Sequence, residues 1–248
     1  MSVTLITGAS SGIGAELARQ LAARGEDLAL CARRTDRLEA LREEILVAHP
    51  GRRVEVRALD VTDHDQVFAV VRAFRDDFGR LDRVVVNAGL GKGARLGTGG
   101  FAANRDTVLT NVVGALAQTE AALEVFRAQQ AGHLVVISSI SALRGMPGSV
   151  TTYAASKAAV AHLAEGVRAD VLGTPIDVTV VYPGYIRSEM NERAKRVPFL
   201  VSTEKGVAAI VAAVEKRRSS ARVPAWPWVP LGFALEHLPL PLARRLMG

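Results

Sequence analysis

The stretch TLITGASSGIGAEL, residues 4–17, sets Gly8, Gly12 and Gly14 between a short apolar run and a segment with helical spacing. Outward from it the same alternation repeats along the chain. Apolar runs of strand length cover Val3–Thr7, Leu28–Ala32, Val54–Leu59, Arg83–Asn87, His133–Ser138 and Asp177–Tyr182. Helical patterns span Ile13–Arg24, Arg34–Ala48, Asp63–Phe78, Asn104–Gln130, Thr152–Leu172 and Thr203–Arg217. The first, second, fourth and fifth runs are apolar at nearly every position, as strands covered on both faces are. Strict alternation of strand and helix, joined by right-handed crossovers, predicts an α/β fold: a doubly wound parallel sheet flanked by helices on both faces.

Composition narrows the class. The chain has 248 residues, 49% of them apolar, with no polar or proline-rich linker in the first 200 and no internal repeat, so one domain is expected. The formal charge is +6, but lysines and arginines are interleaved with acids rather than gathered into a stripe, and no nucleic-acid partner is expected. Cys31 is the only cysteine, which excludes an internal disulfide and a cysteine metal cluster and fits a reducing, cytoplasmic setting; no metal is expected. Met1 leads directly into SVTLITG, without the pattern of a signal peptide. No run reaches the roughly 18 apolar residues of a spanning helix.

In a doubly wound sheet the first strand-to-helix turn lies at the carboxyl edge, where a helix N-terminus offers free N–H groups and a partial positive charge to a phosphate. Gly8, Gly12 and Gly14 permit a tight turn, backbone approach to a pyrophosphate and close packing of helix on strand. Their spacing is GxxxGxG, and an ordinary turn needing positive φ is the competing reading. The second strand ends in Ala32, Arg33 and Arg34, where an NAD-preferring site usually carries an acid for the ribose 2′-hydroxyl. Arginines there suit a 2′-phosphate, so NADP(H) is the expected cofactor; a solvated helix start is the alternative. Asp60 and the NAG of Asn87, Ala88 and Gly89 fall at the same edge.

Tyr153 and Lys157 stand at i and i+4 in TTYAASKAAV, on one helical face. A phenol is a poor acid or base at neutral pH, and a nearby ammonium lowers its pKa, so Tyr153 could exchange a proton with a carbonyl oxygen or an alcohol. Ser138 and Ser139 leave the fifth strand, and Ser139 is the better candidate to hydrogen-bond a substrate oxygen as charge develops on it. Asn111 is polar on an otherwise apolar helix; a satisfied buried amide is its plain reading.

The ordered set TGASSGIG (7–14), NAG (87–89), Asn111, Ser139, YAASK (153–157) and PG (183–184) resembles the short-chain dehydrogenase/reductase family over roughly residues 3–215. The resemblance implies a Rossmann-like fold, with Tyr153 as general acid/base, Lys157 lowering its pKa and binding the nicotinamide ribose, and Ser139 orienting the carbonyl. It implies that Asn111 holds a water in a proton relay. It further implies that Gly8, Ser10, Ser11, Gly12, Ile13 and Gly14 bind the pyrophosphate, and that Asp60 and Val61 contact the adenine. Asn87, Ala88 and Gly89 would support the inner half of the cofactor, and Pro183, Gly184 and Ile186 the nicotinamide. Arg33, with Arg34, fits the NADP-preferring subgroup. Two departures stand out: Val86 replaces the first asparagine of the usual NNAG, and Ser139 lies one position farther from Tyr153 than in many relatives.

Residues 1–220 are therefore expected to form the NADP(H)-binding catalytic domain, with a mobile lid over about 186–203. The remainder, 221–248, is an apolar extension holding both tryptophans and five of the ten prolines, which forbid one long helix. It could cover the domain, cap a lipophilic pocket or interface, or lie on a membrane surface. The expected activity is hydride transfer between NADP(H) and a small-molecule carbonyl or secondary alcohol, with an acyl-thioester ketoreductase or a non-catalytic NADP(H)-binding regulator as alternatives. A homodimer or homotetramer through the helices at Asn104–Gln130 and Thr152–Leu172 is implied by the resemblance.

Overall fold

The computed structural model describes residues 2–189 and 198–247. Seven strands form one parallel sheet: β1 Val3–Thr7, β2 Asp27–Ala32, β3 Val54–Ala58, β4 Arg83–Val86, β5 Gly132–Ile137, β6 Ile176–Pro183 and β7 Ser220–Val223. Their order across the sheet is β3-β2-β1-β4-β5-β6-β7. The winding reverses between β1 and β4, which places a topological switch point beside Thr7 and Val86.

Alternate residues of each strand feed opposite cores. Leu5, Val84, Val86, Leu134 and Val136 pack with Val67, Val71 and Phe74 of α3 (His64–Phe78) and with α5 (Gly114–Gln129) and α6 (Thr151–Asp170). Ile6, Val85, Val135 and Ile137 pack on the other face with α1 (Gly12–Ala22), α2 (Thr35–Ala48) and α7 (Thr203–Glu215). Each face is covered by helices, which is why the central strands read as continuous apolar runs. Helix α3 starts at Asp63, whose side chain accepts from the Gln66 N–H, and stops at Gly79 in the left-handed region.

Three features depart from the pattern read off the sequence. The helix expected over Asn104–Gln130 is α4 (Phe101–Val108) and α5, joined by a π turn at Leu109–Val113 that contains Asn111. Strand β7 was not anticipated: SARV is short and half polar, and it becomes a strand by pairing with the edge of β6. The C-terminal segment continues as α8 (Ala225–His237) and α9 (Leu240–Met247). Trp226, before Pro227, is extended rather than helical, as residues preceding proline tend to be. Trp228 and Leu235 are buried, whereas Trp226 is 78% and Phe233 61% exposed. Residues 190–197 of the expected lid lie outside the described residues. Among the described residues no helix is long and apolar enough to cross a membrane.

Candidate active site

The carboxyl ends of β1, β2, β4, β5 and β6 open into one cleft of about 550 Å³, within the range of small-molecule sites. Gly8, Ser10, Ser11, Gly12, Ile13, Arg33, Arg34, Asp60, Val61, Asn87, Ala88, Gly89, Ser139, Tyr153, Lys157, Pro183, Gly184 and Ile186 all line it. Gly14 and Asn111 lie just behind its wall.

The glycine turn is built for close approach. Gly8 and Gly12 have φ of +65° and +54°. A Cβ on Gly8 would stand 2.9 Å from Ala88 Cα, and one on Gly14 2.5 Å from the Gly8 carbonyl oxygen. The Asn87 amide explains the shape from the other side, donating to the Thr7 carbonyl at 2.9 Å, while the Thr7 hydroxyl accepts from the N–H groups of Asn87 and Ala88 at 3.0 Å. Helix α1 begins at Gly12 with no side-chain cap at Ser11, so its first N–H groups face the cleft. A backbone cradle at an uncapped helix N-terminus fits a pyrophosphate.

The two arginines are used differently. Arg33 is exposed at the rim, with Nη1 4.0 Å from Asp60 Oδ2. Arg34 folds onto the glycine turn, donating to Ser11 Oγ at 2.7 Å and Ser10 Oγ at 3.3 Å, and reaches Glu189 at 3.0 Å. Asp60 accepts from the Thr62 N–H and hydroxyl, and its own N–H donates to Gln66 Oε1, which shapes the loop below Val61.

At the other end, β5 and α6 interlock. Ser138 Oγ donates to the Lys157 carbonyl at 2.7 Å, and Lys157 Nζ donates to the Ile137 carbonyl at 2.9 Å. The Ser138 hydroxyl is thereby committed to structure. Ser139 is different: its Oγ accepts from the Ser141 N–H at 3.2 Å and the Ser141 hydroxyl at 2.9 Å, which leaves its own proton for the Tyr153 phenol. Ser141, at the first turn of the 3₁₀ segment Ile140–Leu143, thus aims Ser139, and no sequence pattern announced it. Tyr185, Ile140, Met146 and Val150 add an apolar wall that the motifs also did not indicate.

The titrations differ from the simple expectation. Burial pushes the Tyr153 phenol up, the Ser139 hydrogen bond works against this, and neighbouring Tyr185 adds to it. Lys157 Nζ stands 6.0 Å from the centre of the Tyr153 ring and is turned to Ile137, and burial pushes its own pKa down to about 8. In this geometry the phenol is held protonated.

Asn111 is a satisfied buried amide. Its Oδ1 accepts from the Leu90 N–H at 2.7 Å, and its Nδ2 donates to the Leu90 carbonyl and to Ser156 Oγ at 3.0 Å. It pins the 89–91 wall to the π turn, a device that recurs where helices serve sites. Lys157 Nζ and Asn111 Oδ1 both lie 3.4 Å from where a Cβ on Gly89 would stand, so this glycine keeps the passage between them open.

The short chain dehydrogenase family profile matches residues 2–198. An uncharacterized oxidoreductase of Mycobacterium tuberculosis is 51% identical over 241 residues, covering 97% of this chain and 95% of that protein. The 11-beta-hydroxysteroid dehydrogenase 1A of Arabidopsis thaliana is 40% identical over 191 residues, 77% of this chain and 54% of that protein. Among solved structures, levodione reductase superposes with a TM-score of 0.82 at 27% identity, covering 92% of this chain and 98% of that one. Actinorhodin polyketide ketoreductase with NADPH superposes at 0.80 and 26% identity, covering 90% and 96%.

Proposed function

The chain is an oxidoreductase of the short chain dehydrogenase family, and on that premise we propose that it reduces a lipophilic carbonyl compound with NADPH, or runs the reverse oxidation of a secondary alcohol. The observation that carries this reading is the placement of Ser139, Tyr153 and Lys157 in one cleft with the glycine cradle and Arg33 and Arg34. The dinucleotide, when bound, supplies or accepts the hydride. Gly8, Gly12 and the N-terminus of α1 would hold its pyrophosphate, and the arginines its 2′-phosphate.

The chain's own residues then divide the remaining work. When substrate binds, the Ser139 proton, aimed by Ser141, turns from the Tyr153 phenol to the substrate oxygen. Tyr153, kept protonated by burial, is in the form that donates its proton to that oxygen as it becomes an alkoxide in the reducing direction. Lys157 replaces the lost charge balance beside the phenolate; with a pKa near 8 it can hold or release a proton at neutral pH. Asn111 fixes the wall at Leu90 through three hydrogen bonds, and its Oδ1, which accepts only one of them, keeps a lone pair that could hold the water of a proton relay towards Lys157.

The lipophilic substrate rests on Ile140, Met146, Val150 and Tyr185, which line the cleft. Names of relatives that act on hydroxysteroids and polyketides support the same class. A non-catalytic regulator would need none of Ser139, Tyr153 and Lys157. The test is NADPH oxidation over small, steroidal, long-chain and acyl-thioester carbonyls. Turnover confined to apolar ketones supports the reading; preference for the thioesters moves the substrate to acyl chains, and silence across the panel with NADPH bound contradicts it.

A further inference from the structure

Glu189 carries the inference. It follows β6 by six residues, beyond the Ile186–Val201 bridge that ties the two sides of this segment together. Its carboxylate is shared between two guanidiniums: Oε2 accepts from Arg34 Nη1 at 3.0 Å, and Oε1 accepts from Arg37 Nη1. Hydrogen bonds from Arg37 and Arg34 lower the carboxyl pKa from its usual value. Glu189 also lines the cleft, and its neighbour Ser188 crosses the cradle, with Cβ 3.2 Å from where a Cβ on Gly12 would stand.

The consequence concerns which anion the arginines bind. Arg34 is fixed on the glycine turn by Ser10 and Ser11, so its fork cannot follow a ligand away from that place. A 2′-phosphate arriving at Arg34 meets an arginine that already has a carboxylate partner. A ribose 2′-hydroxyl, being neutral, has no such contest and loses nothing to the carboxylate. We propose that Glu189 is a determinant of dinucleotide choice: an internal counter-ion, anchored by Arg37, that competes with the 2′-phosphate for Arg34 and so restrains the preference for NADP(H) over NAD(H). This rests on the cofactor reading above only for where the 2′-phosphate lies.

The geometry separates this effect from general charge. NADPH carries more negative charge than NADH, so losing a nearby carboxylate favours it modestly by long-range electrostatics alone, which the Glu39→Gln control measures; competition for the guanidiniums adds to this and vanishes when they are removed.

The experiment measures the dissociation constants of NADPH and NADH by titration calorimetry for the wild-type protein and Glu189→Gln. Glu39→Gln, which removes a charge from α2 itself, serves as control. In Glu189→Gln the NADPH constant is expected to fall by about tenfold, with NADH changing by less than about threefold, and the control ratio is expected to move only modestly. Glu189→Asp should restore most of the wild-type ratio. In an Arg34→Ala/Arg37→Ala background, Glu189→Gln should move the ratio no further than the control does. Equal tightening of both dinucleotides, an unchanged ratio, or weaker NADPH binding in Glu189→Gln would overturn the proposal. If the wild type prefers NADH and the ratio still moves about tenfold, the counter-ion stands and the NADP(H) reading falls.

Discussion

Lys157 Nζ donates to the carbonyl oxygen of Ile137 at 2.9 Å, so the cation expected to serve the phenol is moored to the last residue of β5. Its burial lowers the lysine pKa from 10.5 to about 8. Between those values the unfolded chain holds a proton that the folded chain has released, so stability rises with pH across that window and the full penalty is present below about pH 8.

That penalty is about 3 kcal/mol from the size of the shift, partly offset by the hydrogen bond to Ile137. Lys157→Met is therefore expected to lose activity yet to be about 2 kcal/mol more stable than the wild type at pH 7, with the gap narrowing as pH rises through 8 to 10.5. Urea unfolding at neutral and alkaline pH checks this; a variant that is less stable at every pH would count against a buried ammonium.

His133 works at the opposite edge of the sheet. Burial, then Arg83 and Arg217, hold its imidazole down to about 3, with Asp177 opposing, while Nε2 meets Thr179 Oγ1 at 2.8 Å. The depressed folded pKa means the unfolded chain takes up the proton first, so this contribution is present above about 6.5 and is lost as pH falls towards 3. Replacing His133 with Gln should reduce the slope of stability against pH over that interval by up to about 1.4 kcal/mol per pH unit, read from denaturation curves. An unchanged slope would mean that His133 titrates normally.

Gly14→Ala tests the cradle. Its Cβ would press on the Gly8 carbonyl and on Asn87 Nδ2 at 2.7 Å, both of them backbone-anchored. The variant is expected to remain folded by circular dichroism, at a cost of about 1–3 kcal/mol, and to bind NADPH at least about tenfold more weakly. Affinity equal to wild type would show that the turn is only a turn.

Trp228 ties the C-terminal segment to the cleft. It is buried, lies edge-on to Tyr185 and Phe199 at 5.5 and 6.0 Å between ring centres, and covers Gly184 so closely that a Cβ there would overlap the indole. Trp228→Ala should cost about 3–5 kcal/mol and raise KM for an apolar ketone more than it lowers kcat, with Trp228→Phe recovering most of both. Unaltered KM would separate the C-terminal segment from the substrate side.

Much of this was legible in the sequence because each strand is buried on both faces and each motif sits where a strand ends. Val84, Val85 and Val86 feed both cores, and the run announces this directly. Strand β7 was hidden because Ser220 and Arg222 give no apolar run, and its conformation comes from its neighbour. The π turn at Leu109–Val113 adds a residue to the helical run with no glycine or proline in LTNVV to mark it, and shows only in three dimensions. Within the site, Tyr153, Lys157 and Ser139 were marked by type and spacing. Ser141 and Glu189 were not, since a serine that aims another serine and an acid that neutralises two arginines are defined by contacts across the fold.

In the proposed reaction Tyr153 passes the proton while the rest of the cleft binds. The most direct test compares turnover and NADPH dissociation constants of the wild type and Tyr153→Phe with the best ketone of the panel. Turnover of Tyr153→Phe is expected to be lower by about 10²–10⁴-fold, with NADPH affinity within about threefold of wild type. Turnover within about tenfold of wild type at unchanged affinity would contradict it, because the proton would then come from elsewhere.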